Sequence, residues 1–231
     1  MKKILKYSKY AVITFITITG LYLINLFLMK PISIDHYLGK EIVMEMLDTP
    51  ETLTYLGILD PFNFITNHQS KLSDEGLEDL NEGLEEMKQA KKILERYDDS
   101  KLSQQQSITK KIALYDLNNN IKQQEQFPFH SYPLNQIGGL HLNTIQFMTD
   151  IHPIRSNSEA AAYIDRLNML DEVFESKMEI LNAQKEAGIF PPEFVFDHVI
   201  RQLTEFLDSS KGSNPIRDVF QRKISEIDLS E

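Results

Sequence analysis

The feature that most constrains this chain is an uncharged stretch near its N-terminus, AVITFITITGLYLINLFLM, which runs from Ala11 to Met29. These nineteen residues form about the length of helix that crosses ~30 Å of hydrocarbon. Four lysines precede the stretch: Lys2, Lys3, Lys6 and Lys9. Because cytoplasmic flanks of membrane spans are rich in lysine and arginine, they favour a cytoplasmic N-terminus. The sequence therefore predicts a single-pass membrane protein, with residues 1–30 as a signal anchor and the body on the exported (periplasmic or extracellular) side.

Two other interpretations of this stretch stay open at this point. A cleaved signal peptide also has a basic start, but its apolar core is usually about 7–15 residues long and a small-residue cleavage site follows it. A buried core helix of a soluble protein is the second alternative. A lipid-modified cysteine anchor is excluded, because the chain contains no cysteine.

The remainder of the chain is acidic, which bears on its partners. The chain has 24 basic and 34 acidic residues, and its first 29 residues contain four lysines and no acid, so the rest has 20 against 34, a formal charge of −14. A surface with this charge repels the phosphate backbone, so nucleic acid is not an expected partner. The absence of cysteine also rules out disulfides and thiolate zinc sites.

Apolar residues recur at helical spacing through the body. Between Leu77 and Tyr97 they follow steps of three and four, which predicts an amphipathic helix with Ser73 as its N-cap. A capping box of Ser103 and Gln106 predicts the start of a second helix.

Three more helices are expected towards the C-terminus. One begins with a capping box of Ser156 and Glu159, carries an apolar face that includes Ile164 and Met178, and stops at Gly188. The pairs Pro191-Pro192 and Asn214-Pro215 fit the first positions of two others. Since no stretch of the body shows sustained strand alternation, the fold is predicted to be all-α: a transmembrane helix followed by an irregular helical bundle over residues 31–231.

The stretch PLNQIGGLHLNTIQFMTDIHPIRS, from Pro133 to Ser156, looks most like a site. Three histidines in and beside it recur at intervals of eleven residues: His130, His141 and His152. Eleven residues is close to three helical turns, but Gly138, Gly139 and Pro153 interrupt any continuous helix. Because metal ligands must converge in one shell, we expect these histidines to be structural and the stretch to be scaffold.

The residues themselves predict no catalytic, cofactor-binding or metal-binding site. No H-E-x-x-H, G-x-S-x-G, Walker A or G-x-G-x-x-G pattern occurs. The acidic pairs Glu85-Glu86 and Asp98-Asp99 are expected to be solvated, because a general acid needs a buried carboxyl. Local ion pairs are expected within Asp165-Arg166 and Asp197-His198.

Several segments taken in order carry a family resemblance. They are DTPETLTYLGI from Asp48, SYPLNQIGGLHLNTIQFMTDIHPIRSNSEAAAYIDRLNML from Ser131, GIFPPEFVFDHVIRQL from Gly188 and NPIRDVF from Asn214. Their order, over roughly Ile34 to Ile224, resembles the N-terminal half of the bacterial domain of unknown function 885 (DUF885) family. The resemblance implies a mostly helical fold similar to that of gluzincin-type zinc metallopeptidases.

The resemblance also implies what to expect of activity. In the family, the His-Glu element and the other zinc-binding histidines lie C-terminal of the matched segments, so no zinc ligand, catalytic residue or cofactor is carried over onto this chain. We expect a membrane-anchored, exported portion of a metallopeptidase-like protein that is inactive alone and whose implied partner is a zinc-bearing C-terminal half. Whether the chain is a truncated or split gene product, a fragment or a remnant stays open.

A non-catalytic, membrane-tethered helical binding module is the alternative function. An adjacent reading frame that encodes H-E-x-x-H would favour the metallopeptidase-like hypothesis, and a native stop codon without such a neighbour would favour the binding module. The segment FVFDHVIRQLTEFL, from Phe194 to Leu207, has a wide apolar arc. That arc predicts either a docking surface for the other half or a helix central to its own bundle.

Overall fold

The computed structural model describes residues 2–74, 76–208 and 212–227. Within these ranges the regular structure is helical and no strand occurs, so the all-α prediction is confirmed. The α-helices, apart from short 3-10 turns and one π-helical segment, are α1 (Lys2–Leu28), α2 (Ile34–Asp48), α3 (Pro50–Leu56), α4 (Asn63–Thr66), α5 (Leu77–Glu95), α6 (Gln104–Gln126), α7 (Leu140–Gln146), α8 (Asn157–Asn168), α9 (Leu170–Glu186), α10 (Glu193–Leu207) and α11 (Pro215–Ser225).

Helix α1 is long and apolar enough to cross a membrane. Its span Tyr7–Leu28 has a mean hydropathy of 2.1, and none of its most apolar window is buried, which argues against a core helix. Its polar groups are satisfied locally: the Thr17 hydroxyl donates to a carbonyl of its own helix at 2.9 Å. At the helix end the Asn25 amide donates to the Lys30 carbonyl at 3.2 Å and accepts from the Ile32 N–H at 3.0 Å. These bonds satisfy backbone groups just beyond the C-terminal end of the helix, which lack intrahelical partners.

The chain forms two compact units. Unit 1 comprises Met1–Glu45 and Glu86–Ile121, and unit 2 comprises Met46–Glu85 and Lys122–Glu231. The division of the sequence after residue 30 into an anchor and a body stays a prediction.

The core of unit 1 is built from apolar and aromatic side chains. Its buried residues are Ile34, Tyr37, Leu94 and Tyr97, and partly buried neighbours from α2, α5 and α6 surround them. The Tyr97 hydroxyl donates to the Pro31 carbonyl at 2.7 Å. The buried Lys110 ammonium donates to the Tyr97 carbonyl at 2.6 Å. The apolar stripe predicted between Leu77 and Tyr97 is thus confirmed at its C-terminal end, where Leu94 and Tyr97 are buried in this core.

Two predicted helix starts are confirmed. In the box before α6, the Gln106 side chain accepts the Ser103 N–H at 3.0 Å and the Ser103 hydroxyl accepts the Gln106 N–H at 3.2 Å. At α11 the Asn214 side chain accepts the Arg217 N–H at 3.2 Å, and Pro215 is the first helical residue. Both arrangements satisfy N–H groups that lack an intrahelical partner.

Two other predicted helix starts are wrong. Ser73 does not cap α5, because its N–H and hydroxyl both bind the Glu51 carboxylate, at 2.8 and 2.7 Å, and the helix begins only at Leu77. Helix α10 begins at Glu193, so both prolines precede it and Pro192 is the N-cap. A proline cannot donate an N–H, but an N-cap residue contributes its carbonyl, and the Pro192 carbonyl accepts the Val195 N–H at 2.9 Å.

The single helix predicted from Ser156 to Gly188 is two helices, α8 and α9. The Met169 N–H bonds the Arg166 carbonyl at 3.1 Å, and this tighter turn separates them. The stop is correct: Gly188 has a φ of +70°, a left-handed conformation that glycine adopts without steric cost.

The buried face of these two helices also differs from the prediction. Ile164 and Met178, assigned to the apolar face, are exposed. The side chains that are buried on these helices include charged and polar ones: Glu159, Tyr163, Arg166, Val173, Ile180 and Gln184. The alanines at 160–162 offer little contrast between faces, so apolar spacing alone does not fix the rotation of α8.

Unit 2 has its own apolar cluster where α8 and α11 meet the segment after α7. Its buried residues are Met148, Ile154, Tyr163 and Ile216. The Tyr163 ring stacks on Phe220 with centroids 5.0 Å apart, and its hydroxyl donates to the Ile216 carbonyl at 3.2 Å. This cluster holds α8 in place beside the polar centre described below.

Candidate functional site

The centre of unit 2 is a buried arginine. Arg166 on α8 is 0% exposed. Its guanidinium has five N–H groups and donates to the following acceptors: the carbonyls of Lys71 (2.8 Å), His68 (2.8 Å) and Pro50 (3.5 Å), the Thr54 hydroxyl (2.6 Å) and His152 Nδ1 (2.6 Å). One side chain therefore links α3, the segment around residues 68–71 and the turn before α8. We call this set the Arg166 network.

No carboxylate is among these five acceptors of Arg166. Burial lowers the pKa of Arg166 to about 10, while the negative charge of Glu51 opposes that shift. The side chain therefore stays protonated at neutral pH. The guanidinium also lies 4.7 Å from the centre of the Phe147 ring, a distance at which the ring face attracts a cation. Hydrogen bonds and this ring thus replace the hydration of a charge that is taken out of water.

His152 is a neutral member of the network. Its Nδ1 accepts from Arg166, so the proton is on Nε2, which donates to the Glu159 carbonyl at 3.2 Å. Burial, and then the positive charge of Arg166, lower the pKa of His152 to about 4. The Lys223 ammonium donates to the His152 carbonyl at 2.8 Å. His152 therefore has a structural function in the fold of unit 2.

A second charged cluster lies at the start of α8. The Arg155 guanidinium contacts Asp60 and Glu159, each at 2.5 Å. Burial would raise the pKa of Glu159, but hydrogen bonds from Arg155 outweigh it and hold that pKa below its usual value. The predicted capping box is half correct: the Ser156 hydroxyl accepts the Glu159 N–H at 3.3 Å, whereas the Glu159 carboxylate accepts the Arg155 N–H at 2.6 Å. Glu159 faces Arg155 because the ion pair is the stronger interaction.

Thr66, His68 and Asp60 have the atom order of a catalytic triad. The Thr66 hydroxyl lies 2.7 Å from His68 Nδ1, and His68 Nε2 lies 3.3 Å from Asp60 Oδ1. His68 is only 1% exposed, however, and Arg155 already neutralises Asp60. None of the three residues lines the cavity described below. We therefore interpret this trio as a structural link, because a nucleophile must be reachable by substrate.

The structure does not bring the three spaced histidines together. His130 is exposed and its ring meets Phe127 edge to face. His141 is buried, with Nε2 2.9 Å from Gln202 Oε1 and with Nδ1 unpaired. Within residues 2–74, 76–208 and 212–227, no group of three or more His, Cys, Asp or Glu side chains could hold a metal ion.

The charge predictions have mixed outcomes. The acidic pairs Glu85-Glu86 and Asp98-Asp99 are exposed, as predicted. The prediction of an ion pair between Asp165 and Arg166 is wrong, because the Arg166 side chain points into the core and binds His152 there. His198 contacts Arg201, at 2.9 Å from its Nδ1, and not the neighbouring Asp197.

The glycine pair Gly138-Gly139 has a structural explanation. A Cβ on Gly139 would lie 2.5 Å from the Asn135 backbone nitrogen, a separation that real Cβ atoms essentially never show. The Asn135 side chain accepts the Ile137 and Gly138 N–H groups at 3.1 and 2.8 Å. The loop before α7 is thus a tight, self-bonded turn, which supports the interpretation of this stretch as scaffold.

A cavity of about 430 Å³ lies beside the Arg166 network. Its walls are mainly apolar and come from α3, α7, the π-helical segment Phe147–Ile151 and the start of α9. Phe147 belongs both to the wall and to the contact with Arg166. Charged groups reach the same cavity from two sides: Glu51 from α3 and Lys177 from α9. Volumes of about 300–1,000 Å³ are typical of small-molecule sites.

The sequence did not reveal this cavity or the Arg166 network. The π-helical segment, closed by the bond from the His152 N–H to the Phe147 carbonyl at 2.9 Å, is a feature that often marks functional sites. A π-helical turn has no residue signature that distinguishes it from an α-helix, although Pro153 signals that the helix must end nearby.

Comparisons with known proteins agree with this fold. No curated protein matches the chain. Two chains of known structure match it. One is the crystal structure of a "putative lipoprotein" from Colwellia psychrerythraea, with a TM-score of 0.60 and 17% identity over 79% of this chain and 34% of that chain. This chain therefore spans about a third of that protein's length, and the likeness at this identity concerns the fold alone.

The family model for a bacterial protein of unknown function, DUF885, matches residues 50–230. This match includes α3 and α8, which the Arg166 network joins, and all the residues that line the cavity. It covers more than half of the chain. The chain belongs to the DUF885 family.

Proposed function

We propose that this chain is the membrane-anchored, exported helical portion of a metallopeptidase-like DUF885 protein. In this proposal it is a scaffold against which a zinc-bearing region docks, and it has no peptidase activity by itself. The observation that carries the proposal is the difference in coverage: the structural match takes in 79% of this chain but only 34% of the solved protein. In a protein of the longer length, we expect the additional two thirds to pack against this helical region.

An apolar stripe on α10 supports such a contact. Phe196, Ile200, Leu203 and Leu207 follow one another at steps of four, three and four residues, and therefore share one helix face. Ile200 is 61% and Leu207 74% exposed, whereas Val195 and Val199 on the adjacent face are buried. We call this exposed face the α10 stripe. Contiguous apolar surface of this kind usually marks an interaction site.

A second apolar surface lies around α3 and α4. Its exposed side chains are Tyr55, Leu56, Ile58, Phe62, Phe64 and Ile65, and Phe64 is 82% exposed. Six large apolar residues within eleven positions exceed the isolated exposed hydrophobic residues that are normal on a monomer. An exposed apolar surface of this extent is better suited to contact with a protein partner than to binding a small molecule.

A non-catalytic helical binding module is the alternative function. A cleft of about 330 Å³ between α9, α10 and residues 132–134 favours it. Phe196, Ile200 and Leu203 line this cleft, so it adjoins the α10 stripe. A groove of this form can accept an apolar segment from a partner without any zinc. The two functions therefore share a docking surface and differ in whether the partner brings a metal.

The orientation in the membrane is the first part of the proposal to test. A reporter that is active only after export, fused after Glu231, should be active, because the four lysines before the uncharged stretch favour a cytoplasmic N-terminus. A matched fusion of a reporter that works only in the cytoplasm should be silent. The reverse pattern would contradict the exported orientation.

The docking part is tested by co-expression with the polypeptide of an adjacent reading frame that encodes H-E-x-x-H. The full chain should co-purify with it, and the complex should hold about one zinc ion and hydrolyse peptides, whereas the chain alone should do neither. Ile200→Glu should abolish co-purification, because it places a charge in an apolar contact. Arg201→Glu, at an exposed position of α10 outside the stripe, is the matched control and should not. Stoichiometric zinc in the chain alone, or co-purification that Ile200→Glu leaves intact, would contradict the proposal.

A further inference from the structure

We propose that a pocket just beyond the C-terminal end of α1 binds the phosphate group of an anionic phospholipid, such as phosphatidylglycerol. The pocket has a volume of about 320 Å³, and its charged lining residues are Lys30, Arg96, Asp98 and Lys101. All of its lining residues belong to unit 1. The inference rests on the membrane anchorage in the proposed function, but it needs neither a zinc-bearing partner nor the exported orientation.

The pocket is positively charged in a chain that is acidic overall. Three of its lining side chains are cationic and one is anionic, which leaves a formal charge of +2. The whole chain has a formal charge of −10. The Arg96 guanidinium has no hydrogen bond or ion pair among the described residues. Its charge and its five N–H groups are therefore available to an anion in the pocket.

The acid in the pocket does not cancel the cations. The Lys101 ammonium lies 3.8 Å from Asp98 Oδ2, and the two side chains are 81% and 54% exposed, so water weakens this pair. Asp98 Oδ1 accepts the Ser100 N–H at 3.0 Å and the Ser100 hydroxyl at 2.7 Å. The Asp98 carboxylate opposes an incoming anion, but three cations outweigh it.

Lys30 is held at the pocket by the core of unit 1. Its ammonium donates to the Arg96 carbonyl at 3.1 Å and lies 4.1 Å from the centre of the Tyr97 ring. Tyr97 is buried, and its hydroxyl donates to the Pro31 carbonyl at 2.7 Å. Neither contact of the ammonium brings a negative charge, so Lys30 is positioned without being neutralised.

The pocket lies at the depth of the lipid headgroups. Lys30 follows Leu28, the last residue of the apolar span, by two positions. A chain advances at most about 3.6 Å per residue, so Lys30 lies no farther than about 7 Å beyond the span. The polar layer of each leaflet is about 5–7 Å thick, half the difference between a whole bilayer and its hydrocarbon core. An anchored chain therefore places this pocket among lipid phosphates.

A phospholipid matches both the charge and the apolar edge of the pocket. A phosphate has several acceptor oxygens, and a guanidinium binds two of them at once. Ile32 lines the pocket and is 85% exposed, and Met29 beside it is 65% exposed. Lipid acyl chains would cover these side chains while the cations hold the phosphate. Basic clusters beside a membrane span are typical of anionic lipid recognition.

Unspecific attraction of the cations to the headgroup layer is the competing explanation. Lysine and arginine side chains near the end of a span commonly extend to the interface without binding one particular lipid. Under that explanation, anionic lipids would associate without a fixed number, and every exposed lysine of unit 1 would contribute alike. The number of bound lipids and its dependence on single residues separate the two explanations.

The test uses the full chain in a neutral detergent and native mass spectrometry with added phosphatidylglycerol, phosphatidylcholine or inorganic phosphate. One phosphatidylglycerol should bind per chain, at least about tenfold more tightly than phosphatidylcholine, because the pocket repels the choline cation. Inorganic phosphate at the same concentration should not displace it, because a free phosphate makes no contact with the apolar edge. The arms thus distinguish a lipid from a soluble phosphate as the source of the bound group.

Single substitutions connect the binding to this pocket. Arg96→Gln should weaken phosphatidylglycerol binding at least about tenfold, the loss of one charge contact. Lys101→Gln is a second variant, with a smaller loss because Lys101 also faces Asp98. Lys111→Gln, at an exposed lysine of α6 outside the pocket lining, is the matched control and should change nothing. The substituted side chains are exposed, so the circular dichroism spectrum should stay that of the parent chain.

Reconstitution of the full chain into nanodiscs separates this proposal from the anchorage on which it rests. A chain that does not incorporate would contradict the anchorage, and this proposal with it. A chain that incorporates but binds the two lipids equally in the mass spectrometry would overturn this proposal alone. Displacement of the lipid by inorganic phosphate, or a folded Arg96→Gln protein that binds as tightly as the Lys111→Gln protein, would also overturn it.

Discussion

Units 1 and 2 are both helical, but different interactions hold their centres together. The core of unit 1 consists of Ile34 and Tyr37 on α2, Leu94 on α5 and Tyr97 just after α5. At the centre of unit 2 lies a charged arginine that is 0% exposed, surrounded by carbonyls, a hydroxyl and a neutral histidine. Unit 1 is therefore stabilised mainly by non-directional burial, and unit 2 depends in addition on directional bonds that fail if one donor is removed.

This difference has a consequence for function. The Arg166 network fixes the position of Phe147 and of α3, which form part of the cavity wall. Directional bonds specify a geometry more sharply than apolar contacts do, so a buried polar centre is suited to holding a site in place. We accordingly expect mutations in unit 2 to affect both stability and the cavity, and mutations in the core of unit 1 to affect stability and not the cavity.

The largest effect is expected from Arg166→Met. The substitution leaves five acceptors without their donor, most of them buried, and should lower the free energy of unfolding by about 4 kcal/mol. Arg201→Met, at an exposed position of α10, is the matched control and should cost less than about 0.5 kcal/mol. Urea denaturation of the full chain, followed by circular dichroism, measures both. Equal effects of the two substitutions would show that the network does not hold unit 2.

Leu94→Ala should have the next largest effect. Leu94 is 1% exposed, and truncating a buried leucine leaves a cavity that costs about 3 kcal/mol. Ile112→Ala on α6 removes a similar volume from a side chain that is 64% exposed, and should be nearly neutral. The same denaturation experiment applies. If Leu94→Ala cost no more than Ile112→Ala, an apolar core in unit 1 would be the wrong description.

Acidification should destabilise unit 2 by a smaller amount. The pKa of His152 is about 4 in the folded chain and about 6.5 in an unfolded one. As the pH falls, the unfolded state therefore takes up a proton before the folded state does, and this favours unfolding. Between pH 7 and pH 5 the free energy of unfolding should fall by about 2 kcal/mol from this residue. Burial also lowers the pKa of His68, which adds to the loss in the same direction. Stability should therefore be full above pH 6.5 and decline below it.

His152→Asn tests the assignment of this pH dependence. Asparagine offers an acceptor to Arg166 without a group that titrates, so the slope of stability against pH between 7 and 5 should be shallower. His130→Asn, at an exposed histidine, should leave the slope unchanged. A slope that both variants share with the parent chain would assign the pH dependence to other groups.

The smallest effect, and one that should be equal in the two units, is expected at the helix caps. Ser103→Ala before α6 and Ser156→Ala before α8 each remove one hydroxyl that accepts a backbone N–H, at 3.2 and 3.3 Å. Each should cost about 1 kcal/mol, and the corresponding glycine variants only a few tenths. A large difference between the two serines would mean that the units differ at their helix ends as well as in their cores.

The same contrast explains what the sequence could predict. The α5 stripe and the Ser103 cap follow from local spacing, and the structure confirms both. The burial of Arg166 could not be predicted, because its five acceptors lie up to 116 residues away in the sequence. Four of them are backbone carbonyls or a threonine hydroxyl, which no sequence pattern marks as partners of an arginine. The interruptions at Gly138, Gly139 and Pro153 predicted that the three spaced histidines would be structural, but not where each would lie: His130 is at the surface and His152 in the core.

Hydrogen exchange of the Arg166→Met chain in nanodiscs, read by peptide-resolved mass spectrometry, tests the central comparison most directly. Protection should be lost over α3 and α8, which Arg166 joins, and should be retained over residues 104–121 of α6, which belong to unit 1. Exchange should also increase at the cavity wall over residues 147–151. Equal loss of protection in residues 104–121 and in α8, or unchanged protection of α8, would contradict the account that a buried arginine network holds unit 2.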